Sequence, residues 1–142
     1  MFLCWKIKEK YLNHLINDYK TRISKYHKIE IIELKDKGID SESNEILSHL
    51  NDKDYNICMD INGKEYTSVE LSNLINNTFI NGYGTITFII GGSDGIKDIV
   101  KDKCNMKLSF SHLTFPHGLF RGILLEQIYR SFKIINNETY HK

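Results

Sequence analysis

The stretch Thr85-Ile86-Thr87-Phe88-Ile89-Ile90 is apolar or β-branched at every position and runs directly into Gly91-Gly92-Ser93-Asp94-Gly95. A strand with one face in water alternates polar and apolar residues, so an unbroken run predicts a central strand covered on both faces. Such sheets are mostly parallel and need helices above and below. The rest of the chain must therefore supply crossover connections.

It does so by alternating strand and helix patterns. Residues 1–5 predict a short strand, after which Ile7, Tyr11, Leu12, Leu15, Ile16, Tyr19 and Ile23 recur at helical spacing. Residues 29–34 predict a second strand that ends in the polar turn Lys35-Asp36-Lys37-Gly38. A modest helix over residues 41–50 places Ile46, Leu47 and Leu50 on one stripe, and a third strand over 55–61 ends at Asn62-Gly63. Thr67-Ser68-Val69-Glu70 is a capping signal for a helix carrying Val69, Leu71, Leu74, Ile75 and Phe79, which Asn81-Gly82 closes. Beyond the central strand the pattern predicts a weaker helix over 96–104, a short strand over 107–110 and a long helix over 119–135. Thr114 is placed to cap that helix and Pro116 to start it. These elements make one α/β domain over residues 1–142, a mostly parallel sheet flanked by helices. Ligands bind such sheets beyond the carboxyl ends of the strands.

Composition narrows the function classes. With 142 residues, 41% hydrophobic, 26% charged and one proline, the chain has an ordinary globular composition. Cys4, Cys58 and Cys104 are odd in number, far apart and without a Cys-x-x-Cys pair. This fits neither a disulfide framework nor a zinc site and points to a reducing cytoplasm. Cys58 lies within a strand pattern and reads as a small buried hydrophobe. No run approaches the roughly 18 apolar residues of a membrane span, and residues 1–5 are too short for a signal-peptide core. His112 and His117 lie five apart, which is wrong for His-Glu-x-x-His, so no metal is expected. The glycine turn matches neither Gly-x-Gly-x-x-Gly nor the Walker pattern, and by itself fits a ligand cradle and a conformational turn alike.

The formal net charge of +1 hides an uneven distribution. Residues 97–142 carry 8 basic against 4 acidic side chains, whereas residues 1–96 carry 11 against 14. The C-terminal third is the expected anionic-partner face. Its Arg121, Arg130, Lys133, Tyr140, His141 and Lys142 mix phosphate partners with stacking groups, as RNA binding requires. A solvated helix face followed by a frayed tail is the plain alternative. Leu119, Phe120, Ile123, Leu124, Ile128, Phe132 and Ile135 form the core stripe of the last helix. Leu125, Tyr129 and Ile134 lie off it and suggest a second covered face, such as a dimer interface.

Several blocks together resemble one family: residues 88–95, Leu108-Ser109-Phe110-Ser111-His112-Leu113-Thr114-Phe115-Pro116-His117, residues 126–134 and Tyr140-His141-Lys142. Their order, spacing and ending are similar to the RlmH (YbeA-like) branch of the SPOUT methyltransferases, with residues 6–11 as a further matching block. The resemblance implies a SPOUT-type domain with a C-terminal trefoil knot within about residues 85–142, working as a homodimer. It implies methylation by S-adenosylmethionine at N3 of a pseudouridine in large-subunit ribosomal RNA, within an assembled ribosome. Carried over, the cofactor positions are Met59, Gly91, Gly92, Phe110, Ser111, His112, Leu113, Thr114 and Phe115. The substrate-side positions are His117, Arg121, Arg130, Tyr140 and His141. The matching block begins at Lys6, with Trp5 where relatives carry a glycine, and the segment between Leu34 and Tyr55 is shorter than theirs. A misassigned initiation codon is one expectation for the short start. Two rival readings are a non-catalytic RNA-binding or ribosome-associated module on the same fold and a flavodoxin-like nucleotide or flavin binder.

Overall fold

The computed structural model describes the backbone of residues 2–5 and all of residues 8–35 and 37–142. The expectations that fall on Met1, Lys6, Ile7 and Asp36 lie outside the described residues. In chain order the elements are β1 (Phe2–Trp5), α1 (Lys10–Ser24), β2 (Ile31–Leu34), α2 (Ile39–His49) and β3 (Tyr55–Glu65). They continue with α3 (Ser68–Ile80), β4 (Ile86–Ile89), α4 (Asp98–Lys101), β5 (Met106–Ser109) and α5 (His117–Ile135). The sheet order is β2-β1-β4-β3-β5, and every pairing is parallel.

The unbroken apolar run is the middle strand. All four residues of β4 are buried, with β1 on one side and β3 on the other. On one face Ile57, Met59, Ile86, Phe88 and Leu108 pack against Leu12, Ile16 and Ile23 of α1, Leu71 and Ile75 of α3, and Leu124, Leu125 and Ile128 of α5. On the other, Leu34 and Ile89 pack against Ile46 of α2 and Val100 of α4. Alternation along β3 and β4 sends neighbouring side chains to opposite layers, which explains why the buried part of both strands is apolar apart from Asn56 and Thr87.

Three sequence expectations about element boundaries need correction. Asn62-Gly63 does not end the third strand: β3 runs on to Glu65 across a register irregularity between Met59 and Lys64. A Cβ on Gly63 would lie 2.7 Å from the backbone of Leu108, so glycine here permits the close approach of β5 rather than a turn. The helix expected over 96–104 is the single turn α4, because Ile99 is 56% exposed and only Val100 is buried in it. Thr114 makes no cap: the N-cap of α5 is Pro116, whose carbonyl accepts from the Phe120 amide at 2.9 Å.

The stripes are also rotated from the expected ones. Tyr11, Val69 and Leu119 are exposed, whereas Leu125 and Tyr129 of α5 are buried. Helix α5 packs against both α1 and α3, so its covered arc is wide within one chain. The off-stripe Leu125 and Tyr129 therefore need no second copy to cover them. Nor does the tail fray. Glu138 accepts from the Tyr26 hydroxyl at 2.9 Å and pairs with Lys133 at 2.7 Å, folding the last residues back onto α1 and α5.

Candidate active site

A cleft of about 450 Å³ lies beyond the carboxyl ends of β4 and β5, with Met59 to Asn62 of β3 along its side. Its floor is backbone. A Cβ on Gly91 would meet Ile96 Cγ1 at 2.6 Å and the Gly95 carbonyl oxygen at 2.9 Å, so only glycine lets the chain leave β4 along this path. Gly95 donates its amide to the Gly92 carbonyl at 3.0 Å and adopts φ +80°, closing the turn tightly. Peptide groups are thereby brought to the cleft surface.

The opposite wall follows β5. Ser109 Oγ donates to the Ser111 carbonyl at 3.2 Å, and Ser111 Oγ accepts the Leu113 amide at 3.0 Å, so the loop holds its shape through its own serines. Phe120 of α5 packs 5.4 Å from Phe110 and 5.9 Å from Phe115, ring centroid to ring centroid, and all three line the cleft. An apolar side with backbone polar groups facing it suits a flat heteroaromatic ligand. Of the carried-over cofactor positions, Met59, Gly91, Gly92, Phe110, Ser111, Leu113, Thr114 and Phe115 line this cleft. His112 does not: it is exposed and lies 3.5 Å from Glu65.

The substrate-side candidates separate into three places. His117 opens α5 and lines the cleft. Arg121, one turn further, is 2% exposed and donates from Nη2 to Glu33 Oε1 at 2.9 Å, tying α5 to β2. It offers no surface to a phosphate, which corrects its placement on the RNA side. Arg130, Tyr140 and His141 gather around Glu126. Arg130 donates to Glu126 Oε1 from Nε at 3.0 Å and Nη2 at 2.6 Å, its guanidinium lies 4.8 Å from the Tyr140 ring centroid, and Nη1 is 3.2 Å from His141 Nδ1. Burial first, then hydrogen bonds to Tyr19 and Glu126, push the Tyr140 phenol well above its ordinary pKa. None of these three residues lines the cleft.

Sequence reasoning missed one pair in the cleft, Asp60 and Lys101, whose Oδ2 and Nζ are 2.7 Å apart. Burial pushes the Asp60 carboxyl up, but Lys101 and the Asn62 amide outweigh it and hold the group below its usual value. The hydrogen bond to Asp60 raises Lys101 in turn. Asp60 directly follows Met59, a candidate cofactor residue, which was the one signal available; nothing local marks Lys101. Among the described residues no group of histidine, cysteine and carboxylate side chains is arranged to hold a metal, and no helix is long and apolar enough to cross a membrane. Cys58 is buried, and hydrogen bonding to Cys104, then burial, raises its thiol above its ordinary value, which disfavours the thiolate. A second cavity of about 320 Å³ lies between α1, α3 and α5 at the amino ends of the strands, lined by Ile23, Ile75, Phe79 and Phe132, and holds none of the candidates.

A family model described as "Predicted SPOUT methyltransferase" matches residues 2–141. Among curated proteins, "Putative ribosomal RNA large subunit methyltransferase H" of Methanococcus maripaludis is 49% identical, over 96% of this chain and 94% of its own. "Ribosomal RNA large subunit methyltransferase H" from two Clostridium botulinum strains is 48% and 47% identical, with the same coverage.

Proposed function

Because the chain belongs to the SPOUT methyltransferase family, we propose that it methylates N3 of a pseudouridine in large-subunit ribosomal RNA with S-adenosylmethionine bound in the cleft. The observation that carries the cofactor assignment is the glycine cradle: a Cβ at Gly91 would fill it, and the adjoining space of about 450 Å³ suits a ligand of this size. Pockets for such molecules run from roughly 300 to 1,000 Å³. Met59, Gly91, Gly92, Phe110, Ser111, Leu113, Thr114 and Phe115 hold the cofactor, with backbone amides and carbonyls reading its adenine edge and Met59, Leu113 and Phe115 as walls. When bound, the cofactor supplies an electrophilic methyl for in-line displacement by the pseudouridine nitrogen. The chain contributes alignment and a water-poor approach, through the Phe110, Phe115 and Phe120 rings and His117 at the start of α5.

Arg130, Tyr140 and His141 form the RNA side of the site, ordered by Glu126. They lie about 20 Å beyond His117 along α5, at ~1.5 Å rise per residue. A homodimer in which one copy presents its tail to the other's cleft unites the two halves, which is our reason for proposing one. Membership in the family supports a trefoil knot within about residues 85–142, a single domain over 1–142, and work in the cytoplasm on ribosomal RNA within the assembled ribosome.

The test is transfer of labelled methyl from S-adenosylmethionine to ribosomes and to protein-free large-subunit RNA, both from cells lacking the modification. Label in pseudouridine is expected, strongest with ribosomes. Cofactor binding without label in either sample would redirect the search to another RNA. Loss of cofactor binding as well would favour a non-catalytic RNA-binding module.

A further inference from the structure

Among the described residues that line the cleft, Lys101 is the only lysine or arginine and Asp60 the only carboxylate. Their arrangement is asymmetric. Asp60 has a side chain 7% exposed and both oxygens engaged, Oδ2 with Lys101 at 2.7 Å and Oδ1 with the Asn62 amide at 3.0 Å. Lys101 has a side chain 23% exposed and gives one of its three donors to Asp60. The carboxylate faces inward and serves as an anchor, while the ammonium has donors left for a ligand.

The surrounding structure fixes that ammonium. Val100, the residue before it, is fully buried against Leu34, Ile46 and Ile89, so the single turn of α4 is pinned to the sheet. Lys101 closes that turn and reaches back to Asp60 within β3. A preorganised cation whose only charged neighbour in the cleft is its anchor Asp60 has a definite preference among ligands: it favours one carrying a carboxylate.

We propose that Lys101, positioned by Asp60, receives the α-carboxylate of the cofactor's amino acid half. This rests on the assignment of the cleft to S-adenosylmethionine and adds a charged end to a pocket whose other proposed contacts are uncharged. The amino acid half is thereby held beside α4, and the adenine end is left to the loop over residues 110–115. Asp60 touches no ligand in this scheme and is a positioning residue.

Calorimetric binding of S-adenosylhomocysteine and of 5′-methylthioadenosine, which lacks the amino acid half, tests the assignment on the full chain. The wild-type protein is expected to prefer S-adenosylhomocysteine about tenfold or more, as a charge-assisted hydrogen bond allows. Lys101→Met should remove that preference while leaving 5′-methylthioadenosine within about twofold. The double variant Asp60→Asn/Lys101→Met, which leaves no unpaired buried charge, should bind as the single variant does. Decarboxylated S-adenosylmethionine should bind wild type and variants alike. An unchanged preference in either variant, or equal weakening of both ligands in the double variant, would overturn the proposal and leave the cofactor cleft standing. A wild-type protein that binds neither ligand would overturn both.

Discussion

Tyr140 donates its hydroxyl to Glu126 Oε1 at 3.1 Å, onto the same oxygen that Arg130 grips through two nitrogens. The second oxygen accepts from Gln127 Nε2 at 2.8 Å, and Gln127 Oε1 accepts from Ser68 Oγ at the start of α3. One carboxylate thus joins the end of the chain to α5 and, through its neighbour, to α3. The C-terminal basic cluster owes its shape to an acid.

Glu126→Gln should therefore act on RNA and not on the cofactor. Replacing the carboxylate by an amide weakens two charge-assisted bonds from Arg130 and leaves Tyr140 with a poorer acceptor, at a cost of about 1–3 kcal/mol. We expect a rise of tenfold or more in KM for RNA, with cofactor affinity held within twofold. Steady-state methyl transfer at varied RNA, beside calorimetry with S-adenosylhomocysteine, separates the two. Equal losses in both would mean that Glu126 supports the whole fold.

Arg121 is predicted to matter for stability. Its pair with Glu33 spans 88 positions of sequence and joins α5 to β2. Removing one partner of a buried ion pair costs about 3–5 kcal/mol, but Glu33 is 37% exposed and regains water, so Arg121→Ala should cost about 2–3 kcal/mol. Urea unfolding measures this. The salt dependence of RNA binding should keep its slope, since Arg121 meets no phosphate.

What was legible in the sequence was mostly local. The Thr67–Glu70 capping box forms as its spacing predicts, with Glu70 N to Thr67 Oγ1 at 3.2 Å and Thr67 N to Glu70 Oε2 at 2.7 Å. The central strand was legible because burial on both faces selects apolar or β-branched side chains at every position, Thr87 included. Gly63 was misread because turns and close strand approaches both select glycine, and only the neighbour Leu108 distinguishes them. Arg121 looked like a phosphate ligand because its partner sits on a distant strand. The proposed cofactor positions came from the family resemblance that the order of motifs carries, while Lys101 gave no signal until α4 brought it beside Asp60.

Asp60 should leave a mark on the acid limb of stability. Its folded pKa lies below the ordinary value, so the unfolded chain binds the proton more readily. Its contribution is complete above the unfolded pKa of about 3.9 and disappears as pH falls through the lower folded value. Lys101 and, more weakly, Lys107 are the charges that depress it. Glu70 and Glu138 are also lowered and titrate in the same region, so the informative quantity is the difference between wild type and Asp60→Asn. That difference, from denaturant unfolding between pH 2.5 and 6, should be level above about pH 5 and shrink below about pH 4. A difference independent of pH would show that Asp60 carries no paired charge.

Gly91→Ala tests the cradle itself. The new methyl would stand 2.6 Å from Ile96 Cγ1 and 2.9 Å from the Gly95 carbonyl oxygen, closer than carbon atoms tolerate. Ile96 can rotate, but the carbonyl belongs to a turn closed by the Gly92–Gly95 hydrogen bond, so the backbone must move. Relief comes by opening that turn, which displaces the amides facing the cleft. We expect cofactor affinity to fall tenfold or more. The stability cost should be about 1–3 kcal/mol, typical of forcing extra volume into a packed site. Gly84→Ala, where a Cβ has open space, is the matched control and should bind the cofactor normally. Calorimetry and thermal unfolding of the two variants side by side check this. Normal affinity in Gly91→Ala would remove the glycine turn from the cofactor site.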